Sequence, residues 1–350
     1  MKRVKLEVAY DGTNYCGWQL QPNGVTIEEM LNKSLSQLLK EEIMVIGASR
    51  TDSGVHAEGN VAVFNTENRM PADKICFALN QRLPEDIRIQ KSEEVPLDWH
   101  PRKQNCKKTY EYRILNRKIA MPLVRLYSHF CYFPLDMEKM KAGAAYLVGE
   151  HDFKSFCTVR TQAEDTVRTI YELNLEKQGD LITMRISGSG FLYNMVRIIA
   201  GTLMKVGMGV YPPEHVKEIL EARDRNVAGP KAAACGLTLV SLEYEKELSP
   251  VLTGENDHWS YVLDQRETLS SRKAFFTVNR CEDQEWNRLV QRMVHQAYRN
   301  GARKIYVRDR EKNRFCIGDE YGYYRIQEDD REAECGEDAG RWYLTSDRGS

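Results

Sequence analysis

Between Gly47 and Ala57 the chain sets an arginine, a carboxylate and a histidine within seven positions: Arg50, Asp52 and His56. A plain turn needs glycine, asparagine or proline and has no use for that set. A carboxylate among bases is suited to nucleophilic or general-base chemistry. The same composition also describes a hairpin loop with solvated charges. Arg197 stands out differently, because it interrupts the run Phe191–Gly201, which is apolar nearly all round. An unpaired charge in a core is costly, so Arg197 either reaches solvent at the helix edge or pairs with a buried carboxylate. Tyr110 and Tyr112 lie two apart in the alternating run Lys108–Ile114 and share one strand face. By residue type alone they read as a packing pair.

Composition removes several classes of function. The chain has 350 residues, enough for two or three ordinary domains, and 42% of them are hydrophobic, enough for real cores. No apolar stretch approaches the length of a membrane span. Met1–Leu6 enters a strand pattern at once and lacks the apolar segment of a signal peptide. The nine cysteines include no CxxC pair, which argues against a disulfide framework and against zinc. A reducing cytoplasm is the expected location. A P-loop, a dinucleotide glycine pattern and metal-ligand spacing are all missing. The net charge of −1 does not announce a nucleic-acid binder. Such a protein would have to gather its positive charge into a cleft.

The elements that must position these residues follow from periodicity. Val4–Tyr10 alternates as a half-buried strand. Thr26 caps a helix with Glu28 and Glu29 in its first turn and Leu31, Leu35, Leu38 and Leu39 on its buried face. Short strands, Ile43–Ile46 and Asn60–Phe64, flank the Asp52 loop. A helix from Ala72 to about Gln81 and a strand at Ile87–Ile89 complete a strand–helix–strand–strand–helix–strand order, the ferredoxin-like arrangement. The second half repeats this in outline: strand Lys108–Ile114, helix Leu135–Gly149, strands Val167–Leu175 and Leu181–Ile186, helices Phe191–Gly201 and Pro213–Ala222, strand Ala233–Val240. The expected class is therefore α+β, with two ferredoxin-like halves at 1–104 and 105–246. Residues 247–350 read as a linker and a small α+β appendage. Its strand-like runs are Ala274–Val278, Lys304–Val307 and Tyr321–Ile326, with a helix over Asp283–Arg299. Arg303, Lys304, Arg308 and Arg310 interleave with aromatics there, as an RNA-contacting surface or a solvated face. The acidic run Glu328–Asp338 follows.

Arg50-Thr51-Asp52-Ser53-Gly54-Val55-His56-Ala57 resembles the RTDxGVHA motif of the TruA-type tRNA pseudouridine synthases. Further matches lie in order along residues 3–246: Tyr10-Asp11-Gly12-Thr13 with Gly17-Trp18-Gln19, the KxYxYxI pattern at Lys108–Ile114, His151–Phe156, and FxxxMVRxIxG at Phe191–Gly201. The resemblance implies an isomerase that converts uridine to pseudouridine in the tRNA anticodon stem-loop, without a cofactor and as a homodimer. It implies that Asp52 is catalytic, that Arg197 pairs with it, that Tyr110 sits beside it against the base, and that Arg50 fills the place of the extruded base. Leu192 would line the base pocket. His56 would contact RNA or brace the loop. The sequence departs from the usual pattern at Ser49 (glycine), Ser53 (alanine), Asn60 (glutamine) and Ala234 (proline). These leave two rivals, a sister enzyme acting on ribosomal RNA and a non-catalytic RNA-binding protein.

Overall fold

Thr26 starts the first helix as its type and position require: its hydroxyl accepts the Glu29 amide at 3.3 Å, and Lys40 ends the helix in the left-handed region. That helix, α1 (Ile27–Leu39), turns Leu31, Leu35 and Leu39 into the core. In this computed structural model, residues 1–158 and 165–244 are described in full, together with the four strands 273–278, 304–309, 314–319 and 322–326. The chain divides into two compact units, residues 1–244 and 245–350.

The first unit is built on one ten-stranded sheet. Its first elements are β1 (Lys2–Tyr10), α1, β2 (Ile46–Gly47), β3 (His56–Thr66), α2 (Ala72–Asn80) and β4 (Ile87–Val95). The next are β5 (Cys106–Asn116), β6 (His129–Cys131), α3 (Met137–Ala145), β7 (Gly149–Asp152), β8 (Val167–Gln178) and β9 (Leu181–Gly188). Helices α4 (Met195–Gly207) and α5 (His215–Ala222) precede the last strand, β10 (Leu237–Tyr244). The sheet order is β4-β1-β3-β10-β5-β9-β8-β7, with β2 beside β3 and β6 beside β5. Strand β10 is the seam. It runs antiparallel along β5 from Leu237↔Tyr112 to Tyr244↔Cys106, and parallel to the start of β3 through Thr238↔His56 and Leu239↔Ala57.

Strand β1 shows the alternation that its sequence demands: Val4, Leu6, Val8 and Tyr10 are buried and their neighbours only partly so. Strand β3 is buried on nearly every residue, because both faces of the sheet are covered there. Helix α4 is buried over twelve of its thirteen residues.

Several boundaries differ from the sequence reading. The strand expected over Ile43–Ile46 shrinks to β2, while β3 begins at His56, so the polar loop is shorter than its motif. Helix α4 starts at Met195 and not Phe191, since Asn194 takes a left-handed conformation (φ 63°) that ends the preceding turn. Helix α3 stops at Ala145, and Gly149, at φ 111°, turns the chain into β7. The closing strand begins at Leu237, after a short 3-10 turn at Ala234–Gly236.

In the second unit, β11 (Lys273–Val278) is parallel to β12 (Lys304–Asp309). Strands β13 (Arg314–Asp319) and β14 (Gly322–Ile326) extend the sheet antiparallel in sequence order. Strand β13 was not foreseen. The helix expected over 283–299 and the acidic run at 328–338 lie outside the described residues.

Candidate active site

The loop carrying Asp52 is held from beneath by polar contacts. Trp18 donates its amide to the Thr51 carbonyl at 3.0 Å, and Val55 donates to Asp52 O at 3.1 Å, closing a turn that Gly54 completes at φ +75°. The Ser53 hydroxyl reaches Tyr15 O at 3.1 Å. Gly17 lies against this loop at φ +88°, and a Cβ there would sit 2.6 Å from Thr51 O. No other residue fits that approach. Under the loop, the Tyr10 hydroxyl and Thr51 Oγ1 are 2.7 Å apart. The buried Asn60 amide grips Ser49 on both sides: Oδ1 accepts the Ser49 amide at 3.3 Å, and Nδ2 donates to the Ser49 carbonyl at 3.0 Å.

Arg197 comes to Asp52 across 145 residues of sequence. Its Nη1 donates to Asp52 Oδ2 at 2.9 Å, and the two side chains are 10% and 18% exposed. The same Nη1 donates to Asn194 Oδ1 at 3.2 Å, and Nε donates to the Ala232 carbonyl at 2.8 Å. The guanidinium is thus fixed in its plane as well as paired. The Ala232 carbonyl is itself placed by close packing: Ala232 N donates to Arg197 O at 3.1 Å, and Gly201 admits the neighbouring Pro230 carbonyl. Of the two readings open for Arg197, the pair with a carboxylate is the one observed.

An open cleft of about 740 Å³ lies over this pair. Asp52, Arg50, Tyr110, Leu192 and Arg197 all line it. Tyr110 is buried, with its ring edge-on to Phe191 at 5.2 Å between centroids and 85° between planes. Burial pushes its phenol well above the usual tyrosine range, and the Tyr10 and Asp52 charges add to that, while a hydrogen bond with the Ser49 side chain opposes it. Arg50 stands exposed at the cleft wall.

His56 is placed elsewhere. It is 4% exposed, its Nδ1 accepts the Gly12 amide at 3.1 Å, and its Nε2 faces the Leu126 carbonyl at 2.9 Å. It braces the loop from below and does not line the cleft.

Three cations that sequence reasoning passed over line the same cleft: Arg102, Lys108 and Arg168. Together with Arg50 and Arg197 they face a lining in which, among the described residues, the one carboxylate is Asp52. The signal for Lys108 was present, since it shares a strand face with Tyr110 two residues on. Arg102 and Arg168 carry no local pattern. Charge near neutrality over the whole chain therefore conceals a strongly positive groove, the footprint of a polyanion site. Among the described residues, no group of three histidine, cysteine or acidic side chains could hold a metal ion. No described helix is long and apolar enough to cross a membrane.

The first unit is similar to known proteins. The sequence model of the tRNA pseudouridine synthase family matches residues 7–102 and 144–245, which include Asp52 and Arg197. The tRNA pseudouridine synthase A of Thermoanaerobacter sp. (strain X514) is 46% identical over 244 residues, 70% of this chain and all of that protein. Those of Brevibacillus brevis (strain 47) and Acetivibrio thermocellus are 46% and 44% identical over the same lengths. A family model that matches more than half of the chain, and identity of this degree over the whole length of the relatives, lead to one conclusion: the chain belongs to the tRNA pseudouridine synthase family.

Proposed function

We propose that this protein isomerises uridine to pseudouridine in the anticodon stem-loop of tRNA, immediately 3′ of the anticodon. The observation that carries this reading is the Asp52–Arg197 pair, 2.9 Å apart at the floor of a cleft lined by cations. The family membership and the relatives' names support the same reaction.

In this reading the cationic walls hold the RNA backbone, and the target base leaves its stack for the cleft. Arg50, exposed at the wall, fills the gap it leaves. The Asp52 carboxylate, aimed by Arg197, acts on the ribose and the N1–C1′ bond breaks. Tyr110 and Leu192 keep the detached uracil in the cleft while it turns. A C5–C1′ bond then forms, the C5 proton departs, and N1 gains a proton. No electrons are gained or lost overall, so the chemistry calls for no redox cofactor.

We also infer that the sheet is a duplication. The order β4-β1-β3, with β2 beside β3, in residues 1–104 and the order β10-β5-β9-β8 in residues 105–246 each suit the ferredoxin-like pattern, and both belong to one sheet. On this reading the site forms where the halves meet, with Asp52 from one and Tyr110 and Arg197 from the other. The enzyme acts in the cytoplasm as a homodimer, and residues 247–350 form an accessory domain.

The test is release of tritium from C5-tritiated uridine in unmodified tRNA, comparing the native protein with Asp52→Asn. Release by the native protein alone is the expected result. Release from ribosomal RNA but not from tRNA would move the substrate to another RNA. No release from either would leave an RNA-binding protein without this chemistry.

A further inference from the structure

Lys108 is partly buried on the inward face of β5, two residues before Tyr110, and it lines the cleft that holds Asp52. Its ammonium donates to the Ser49 hydroxyl at 3.1 Å. Among the described residues no carboxylate is paired with it. Asp52, the one carboxylate of the lining among the described residues, is already engaged by Arg197. Arg102 and Arg168 add positive charge nearby, and burial holds the amine below the usual lysine range. A half-buried ammonium whose partner is a neutral hydroxyl is an unfavourable resting arrangement. It becomes favourable when an anion enters the cleft.

The reaction assigned to this site makes such an anion. When the N1–C1′ bond breaks, its electron pair leaves with the base. The negative charge spreads over N1, C5 and the two carbonyl oxygens, and it persists until the pair returns through C5 to C1′. Exposed cations at the rim, such as Arg50 and Arg102, suit phosphates. Lys108 lies deeper, on the strand face that carries the ring expected against the uracil.

We propose that Lys108 is a catalytic residue that stabilises the detached uracil anion, and that Ser49 is the positioning residue that holds its ammonium in the cleft. This rests on the pseudouridine synthase reading. Lys108 neither gains nor loses a proton in the step; it supplies a fixed positive charge where negative charge develops. The idea accounts for two departures from the family pattern at once. Ser49 brings the hydroxyl that a glycine lacks, and Asn60 clamps the Ser49 backbone from both sides.

The experiment is single-turnover tritium release by the full chain, with RNA affinity measured in parallel by filter binding. Removing one preorganised charge-stabilising donor costs about 100-fold in rate, so Lys108→Gln is expected to lose about that much while its RNA affinity stays within about threefold. Lys108→Ala should regain rate on addition of ethylammonium, and the rescue should saturate. Ser49→Ala, which leaves the charge in place, should lose about three- to tenfold in rate by the same electrostatic argument. It serves as the second variant should Lys108→Gln fold poorly. Rates of Lys108→Gln and Ser49→Ala both within twofold of native would overturn the proposal. So would a loss confined to RNA affinity, which would make Lys108 a phosphate contact, or a folded Lys108→Ala that no amine rescues. Absence of release by the native protein would refute the parent reading instead, so the two failures are separable.

Discussion

Arg197→Met removes the guanidinium while keeping most of the side chain's length and apolar contact. Three hydrogen bonds disappear with it, to Asp52, Asn194 and the Ala232 carbonyl. A hydrogen bond to a charged partner contributes about 1.5–3 kcal/mol, and each buried acceptor left empty costs about 1 kcal/mol or more. Asp52 keeps some access to water, its side chain being 18% exposed, so it does not pay the full cost of a buried lone charge. The sum is about 3–5 kcal/mol of stability lost by the 1–244 unit, within the range for breaking a buried pair. Hydrogen exchange at the amides of α4 and β5 reads that loss without interference from the second unit. A double-mutant cycle with Asp52→Asn isolates the pair itself, with an expected coupling of about 1.5–3 kcal/mol. A loss below about 1 kcal/mol, or a coupling within about 0.5 kcal/mol of zero, would refute the claim that this pair is a strong structural contact.

Other outcomes follow from the same geometry. Gly201→Ala places a Cβ 1.8 Å from the Pro230 carbonyl, so a change that ordinarily stabilises a helix by about 1 kcal/mol should here cost about 1–3 kcal/mol. It should also slow tritium release, because the segment that moves carries the Ala232 carbonyl. His129 is held below the ordinary histidine range by burial, and its Nδ1 accepts the Ala233 amide at 3.3 Å. The unfolded chain therefore binds that proton first. The stability it contributes is full above about pH 6.5 and is lost as pH falls below that value toward the folded pKa. Urea unfolding between pH 7.5 and 5.5 should show this slope in the native protein and a shallower one in His129→Gln. Gly17→Ala, strained by both its φ and the 2.6 Å approach to Thr51 O, should displace the Asp52 loop and reduce tritium release with little change in RNA affinity.

Much of this arrangement was legible because it is written in local patterns. Thr26 with its glutamates marks a helix start, and Val4–Tyr10 alternates as it is buried. An arginine in a nearly all-apolar run leaves two readings, solvent or a buried partner, and Arg197 has the partner. What escaped was set by backbone and by distance. Asn194 begins α4 late because it is left-handed, a choice that its type permits but does not dictate. Its side chain caps nothing and instead receives Arg197. The Ala232 carbonyl has no side-chain signature at all. His56 sits within the same eight residues as Asp52, yet the strand that begins there turns it under the loop. Lys108 reads as an ordinary strand charge until the fold puts Ser49 within reach of it.

The seam strand β10 bears on how the protein comes to exist on a ribosome. On the side away from β1, whose Tyr10 already pairs with Ala57, the start of β3 at His56 and Ala57 is met by Thr238 and Leu239. At about 5–20 residues per second, about 180 residues of further synthesis amount to roughly 10–40 seconds. For that interval the emerging chain holds a strand edge open to misplaced pairing. Asp52 also waits without Arg197, which arrives only a little before β10. A chain halted between residues 52 and 237 would have Asp52 already made but the seam unsewn. The chemistry would switch on only after β10 is made, as a consequence of the same closure that protects the nascent sheet.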